Sequence, residues 1–136
     1  MTMPAGKYYV GDLCYVMHDE WNEFCKLTIK GNEMLEGEFN LKDGRRFAFY
    51  GTKWGDGVYK DTKGREYGVD AGLIGCIKID DIKLDNDENF LDGGQVIEFV
   101  SDFRTSGGRN EHGRDWDGII QFGEVIIGTD SDDEDY

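Results

Sequence analysis

No stretch of the chain approaches the roughly 20 consecutive apolar residues that a helix needs to cross a bilayer. The opening "MTMPAGKYYVGD" also lacks a basic region leading into an apolar one. These absences point to a soluble, unexported protein without a membrane partner, located in the cytoplasm, or in the host cytoplasm if the chain is viral. Cysteine is scarce: Cys14, Cys25 and Cys76 are odd in number, far apart and set among apolar neighbours. That pattern excludes a secreted disulfide framework and predicts reduced thiols. With two histidines, no Cys-x-x-Cys pair, and Cys14 and His18 divided between a strand and a helix start, structural zinc is excluded as well. Positive charge is the last shortage. Fifteen Lys and Arg face 29 Asp and Glu, a net charge of −14 that repels phosphate backbones, so no direct nucleic acid binding is expected.

What the chain does have is enough apolar and aromatic material to fold. Its 136 residues are 38% hydrophobic and 13% aromatic, sufficient for one core, and two domains are not expected. Residues 1–128 read as a single β-rich domain. Residues 129–136, ending "TDSDDEDY", read as a disordered acidic tail. The tail holds five of the acidic residues, so the body is acidic in its own right.

The patterning is mainly β, at the margin of α+β. "KYYVGDLCYVM" reads as a strand interrupted at Gly11-Asp12. One helix is predicted over about 19–30, where Trp21, Phe24, Cys25 and Thr28 share a face, Asp19 can cap, and Lys26, Lys30 and Gly31 suit the end. Short segments rich in Val, Ile, Phe and Tyr then alternate with glycine-containing turns. Lys42-Asp43-Gly44 and Thr62-Lys63-Gly64 each signal a hairpin. Phe47 and Phe49 should share one strand face, with Ala48 and Tyr50 on the other. "LIGCIKID", "QVIEFVSDF" and "GIIQFGEVIIG" complete about seven strands. The expectation is a small antiparallel barrel or sandwich with one N-terminal helix covering an end or a face.

Residues 51–76 contain seven glycines, at positions 51, 55, 57, 64, 68, 72 and 75. Their turn-like spacing between strand formers predicts hairpins and bulges. A phosphate loop would lead from a strand into a helix and close on Gly-Lys-Ser/Thr, and that context is missing.

Segments "VGDLCYVM" and "GTKWGDGVYKDTKGREYGVDAGLIGC" resemble a group of small phage and bacterial proteins with the pattern Gly-Asp-x-Cys-Tyr-Val, a tryptophan helix, Thr-x-x-Gly-Asp-Gly-x-Tyr and Val-Asp-x-Gly-x-Ile-Gly. The matching positions are Gly11, Asp12, Cys14, Tyr15, Val16, Trp21, Thr52, Gly55, Asp56, Gly57, Tyr59, Val69, Asp70, Gly72, Ile74 and Gly75. The resemblance spans roughly residues 8–79. It departs from the pattern at Leu13, where proline is frequent. It implies a phage-type or bacterial accessory protein and brings no activity with it.

Three constellations carry chemical interest. Asp12, Asp56 and Asp70 each sit in a glycine-flanked turn, and turns at one end of a barrel can converge. Together they would hold a divalent cation, the one cofactor the sequence suggests, or act as an acid/base pair. The plain alternative is that each aspartate accepts hydrogen bonds from its own turn. Cys14, Tyr15, Thr52 and Tyr59 belong to the same segments and join them as ligand-binding candidates. The second constellation is "FRTSGGRNEHGRDWDG", residues 103–118, where Arg104, Arg109 and Arg114 are three of the six arginines. As a long hairpin loop it would recognise a carboxylate or phosphate, or else pair with Glu111, Asp115 and Asp117. Third, "DIKLDNDENFLDGG" imitates a calcium loop at Asp85, Asp87 and Asn89 but has Phe90 and Val96 where glycine and glutamate are required. It is an acidic loop, not an EF-hand. A Cys14 nucleophile with a histidine base fits the composition, although free cysteine commonly packs as a small hydrophobe.

Charge, size and resemblance together favour a non-enzymatic, phage-type acidic binding or accessory protein that acts on a host protein with a basic surface, or on a small ligand. A small hydrolase or nucleotide-directed enzyme with an aspartate-held metal is the first alternative. A structural or virion-associated protein is the second. Nothing in the sequence sets the oligomeric state.

Overall fold

A computed structural model of the chain describes residues 2–17, 21–30, 33–53, 55–70, 72–82, 93–108 and 117–129. Two five-stranded antiparallel sheets stack face to face without closing into a barrel, and one helix lies outside them, so the fold is a β-sandwich. The first sheet contains β1 (Gly6–Gly11), β4 (Gly37–Asn40), β5 (Arg46–Gly51), β8 (Leu73–Lys78) and β9 (Gln95–Phe99), in the order β4-β5-β8-β1-β9. The second contains β6 (Gly57–Asp61), β7 (Glu66–Val69), β10 (Thr105–Ser106), β11 (Ile119–Phe122) and β12 (Val125–Gly128), in the order β10-β11-β12-β6-β7. A short pair, β2 (Ile29–Lys30) and β3 (Glu33–Met34), follows the helix α1 (Trp21–Thr28).

The central strands of the first sheet, β5, β8 and β1, are buried on both faces. Tyr8 and Val10, Ala48 and Tyr50, and Ile74 and Cys76 point toward the second sheet and meet Tyr59, Tyr67, Ile120, Phe122, Val125 and Ile127 in one core. Their neighbours Tyr9, Phe47, Phe49, Leu73 and Ile77 point the other way and pack with Leu13, Met17 and Phe24 in a second core under the helix. This split follows from the period-2 alternation of a strand. It explains why "RFAFY" and "LIGCI" read as continuous apolar runs, while β11 and β12 alternate. Phe24 anchors α1, with ring centroids 5.3 Å from Phe47 and 5.0 Å from Phe49. Each such buried ring contributes about 1.5–3 kcal/mol.

The helix is shorter than 19–30. It ends at Thr28, whose hydroxyl donates back to the Phe24 carbonyl, because Ile29 and Lys30 leave to pair with Met34 and Glu33. The proposed Asp19 cap and the Gly31 stop lie outside the described residues. "GIIQFGEVIIG" is not one strand but two, β11 and β12, joined by a tight turn at Gly123-Glu124. The acidic loop at 85–92 and the tail at 130–136 also lie outside the described residues.

Both predicted hairpins form, and they share one backbone pattern. In β4-β5 the Leu41 N–H donates to Arg45 O and Gly44 N–H donates to Leu41 O; in β6-β7 Asp61 and Gly64 make the equivalent bonds with Arg65 and Asp61. Gly44 and Gly64 take φ of +93° and +85°, the left-handed residue that such three-residue loops require. Gly75 serves another purpose. It lies inside the central strand β8, where an added Cβ would sit 2.4 Å from Ala48 O and 2.7 Å from a Leu13 methyl carbon. It is a close-approach glycine in a strand, not a turn.

Candidate functional site

The turns that carry Asp12, Thr52 and Asp70 meet at the end of the sandwich where β1 and β5 finish and β8 begins. Asp12 follows the last residue of β1 and caps a one-turn 3-10 helix, Leu13–Tyr15, by accepting the Cys14 N–H on Oδ1 at 3.0 Å. Its Oδ2 accepts the Asp70 N–H at 2.8 Å. Thr52 continues the knot: its N–H donates to Gly72 O at 3.0 Å, and its hydroxyl donates to Gly55 O at 2.5 Å. The Tyr59 hydroxyl reaches the same Gly55 carbonyl at 2.9 Å. Next door, Thr129 accepts the Lys53 N–H and donates to Gly118 O.

The convergence is made by backbone groups, not by a carboxylate cluster. Asp12 is fully buried with both oxygens accepting amide protons, whereas the Asp56 and Asp70 side chains are exposed. Among the described residues no three His, Cys, Asp or Glu side chains are grouped so as to hold a metal ion. Asp12, Asp56 and Asp70 therefore do not make one cation site, because the geometry that joins their turns spends the Asp12 carboxylate on main-chain donors. Thr52 and Tyr59 likewise use their hydroxyls to hold carbonyls of the knot. Cys14 is half-buried; the Tyr15 side chain falls outside the described part, as do His18 and His112.

A second carboxylate, which the sequence reading passed over, is Asp61. Its side chain is buried at the β6-β7 turn and accepts four bonds: Lys63 N–H and Arg65 N–H on Oδ1 at 2.9 and 3.0 Å, and Arg65 Nε and the Tyr67 hydroxyl on Oδ2 at 2.6 and 2.8 Å. Burial alone would raise its pKa, but the bonds from Tyr67, Arg65 and Lys63 outweigh it and hold the carboxyl below its ordinary value. Burial pushes the Tyr67 hydroxyl up, and the Asp61 carboxylate that it serves pushes it further. The available signal was an aspartate three residues before a turn glycine and four before an arginine.

The two sheets also touch along the β4/β10 seam. Thr105 bridges the Tyr50 hydroxyl at 2.7 Å and Glu38 Oε2 at 3.0 Å, while Glu36 accepts the Gly51 N–H at 2.6 Å. Glu38 Oε1 is buried here without a hydrogen-bond partner. Cys76 lies fully buried; desolvation pushes its thiol far up, the Glu38 charge adds to this, and a bond with the Ala48 backbone offsets part of it. This cysteine packs as a hydrophobe. Gly107 and Gly108 lead from the seam toward the arginine-bearing segment. Of the loop expected over 103–118, Thr105–Ser106 is instead strand β10, paired with Phe122 and Gln121; Arg104 is exposed, and Arg109 and Arg114 lie outside the described residues.

Among the described residues no helix is long and apolar enough to cross a membrane. No protein-family model, no curated protein and no solved structure matches the chain.

Proposed function

We propose that the chain is a non-enzymatic binding protein whose acidic surface docks on a basic protein partner, with the motif-bearing end of the sandwich as the contact region. One observation carries this reading: the division of labour among the carboxylates. Asp12 and Asp61 are buried and saturated with donors, as scaffold groups are. Asp56 and Asp70 sit on the same knot of turns and point into solvent. A rigid knot that presents exposed charge suits recognition, because little order has to be created when a partner arrives. The net charge of −14 would speed encounter with a basic surface more than it would tighten the final complex. The resemblance of residues 8–79 to small phage and bacterial proteins fits an accessory role, with a host protein as the partner.

The experiment is capture from bacterial lysate at low and high salt, comparing the wild type with a double variant Asp56→Lys, Asp70→Lys and with an unrelated control of equal charge. A partner held by the wild type at low salt, weakened by the double variant and released by salt, is the expected result. Retention no better than the charge-matched control would remove the reading.

A further inference from the structure

At the end of the sandwich opposite the knot lies a pocket of about 290 Å³, lined by Pro4, Tyr8, Asn40, Gly44, Arg46, Lys78 and Asp81. Its floor is a single row across the first sheet. The register sets Asn40 opposite Arg46 and Tyr8 opposite Lys78, and the pairing of Phe47 with Ile77 brings Arg46 alongside Lys78. Alternation from Ala48, Cys76 and Tyr8 puts the whole row on the face that meets the second sheet.

Two cations side by side on adjacent strands repel each other, and such a pair weakens a sheet. In a chain with 29 acidic residues, neutralising both within the fold was within easy reach. Yet Arg46 bonds only neutral oxygens, Thr2 O at 2.9 Å and Asn40 Oδ1 at 3.3 Å. Among the described residues neither Arg46 nor Lys78 forms an ion pair. Arg46 Nε donates to Asn40 Oδ1, and the Lys78 stem lies over Gly6, where an added Cβ would come within 3.4 Å of it, so both side chains stay at the row. Asp81 is the acidic group of the lining, and its carboxylate pairs with neither cation. Asp102, the other carboxylate whose charge reaches Tyr8, is bonded to the Ala5 N–H.

We propose that this pocket binds a small oxyanion, a carboxylate or phosphate group, between Arg46 and Lys78. The bound anion removes the repulsion between the two cations and takes charge-assisted hydrogen bonds from both. The volume lies at the lower end for ligand pockets, which limits the occupant to a small molecule or a single chain terminus. Asp81 opposes a second negative charge on the wall side, so its removal should strengthen binding while removal of either cation weakens it. The inference is independent of the protein-docking surface at the far end.

The test is titration of the full chain with inorganic phosphate and, separately, with succinate at constant ionic strength, followed by amide and side-chain nuclear magnetic resonance and by calorimetry. Expected is saturable binding of at least one anion, with resonances of Asn40, Gly44 and Lys78 moving together. Arg46→Gln and Lys78→Gln should each weaken it by about tenfold, whereas Asp81→Asn should tighten it. If only phosphate saturates, the site takes phosphate esters; if only succinate does, it takes carboxylates. Absence of saturation by either anion up to about 10 mM overturns the proposal, since that is weaker than a useful site. So do saturating shifts that map elsewhere on the wild type, which is a readout that does not depend on the variants folding.

Discussion

The Asp12 carboxylate accepts the backbone N–H of Asp70 at 2.8 Å, across 58 residues of chain. One side chain thereby ties the end of β1 to the link between β7 and β8, which lie in different sheets. The turn at Asp12 and the turn at Asp70 meet at this bond.

Replacing Asp12 with Asn should destabilise the fold by about 1–3 kcal/mol, because an amide group would face an N–H donor and leave buried polar groups unpaired. Asp56→Asn and Asp70→Asn should each stay within about 0.5 kcal/mol, as exposed changes do. Urea unfolding of the three variants checks this; equal losses at all three positions would contradict the assignment of Asp12 alone as the tie.

Asp61 should make stability depend on acid pH. Its folded pKa lies below the ordinary 3.8, so its contribution is fully present above that value and is lost as pH falls through the folded pKa. Asp61→Asn should remove this contribution at neutral pH, costing about 1–3 kcal/mol by stranding the buried Tyr67 donor and loosening the partly exposed Arg65. The difference in unfolding free energy between wild type and variant should therefore shrink below the ordinary value. A difference that stays constant with pH would show that the ionised carboxylate is not what holds the turn.

Gly75→Ala should cost about 1–3 kcal/mol, since the new methyl group collides with the Ala48 carbonyl and Leu13 in the middle of a five-stranded sheet. The same change at Gly128, where an added Cβ meets nothing within 4 Å, should be far milder. Thermal unfolding of the pair separates crowding in the sheet from a general cost of removing glycine.

Thiol reactivity should divide the cysteines. Cys14 and Cys25 are partly exposed and should label in the native protein at mildly alkaline pH. Cys76, buried and with its thiol pushed far up, should label only as the protein unfolds. Mass spectrometry after timed alkylation, with and without denaturant, reads the order; early labelling of Cys76 would mean that the seam between the sheets opens readily.

Fold class and several local elements were legible from residue order alone. Alternation in "RFAFY" assigned Phe47 and Phe49 to one face and Ala48 and Tyr50 to the other, and Lys-Asp-Gly and Thr-Lys-Gly marked two hairpins, because side-chain direction and turn φ depend on immediate neighbours. Tertiary structure decided the rest. Two sheets rather than one barrel, the division of "GIIQFGEVIIG" into two strands, and the early end of the helix all depend on partners remote in the chain. The same holds for the candidate sites. Neither the meeting of the turns at Asp12 and Asp70 nor the reach of Asp12 toward an amide instead of another carboxylate was legible, since which donor a buried oxygen meets is fixed only when the sheets stack. The Arg46 and Lys78 row was invisible for the same reason: 32 positions separate them in sequence, and strand register alone sets them side by side.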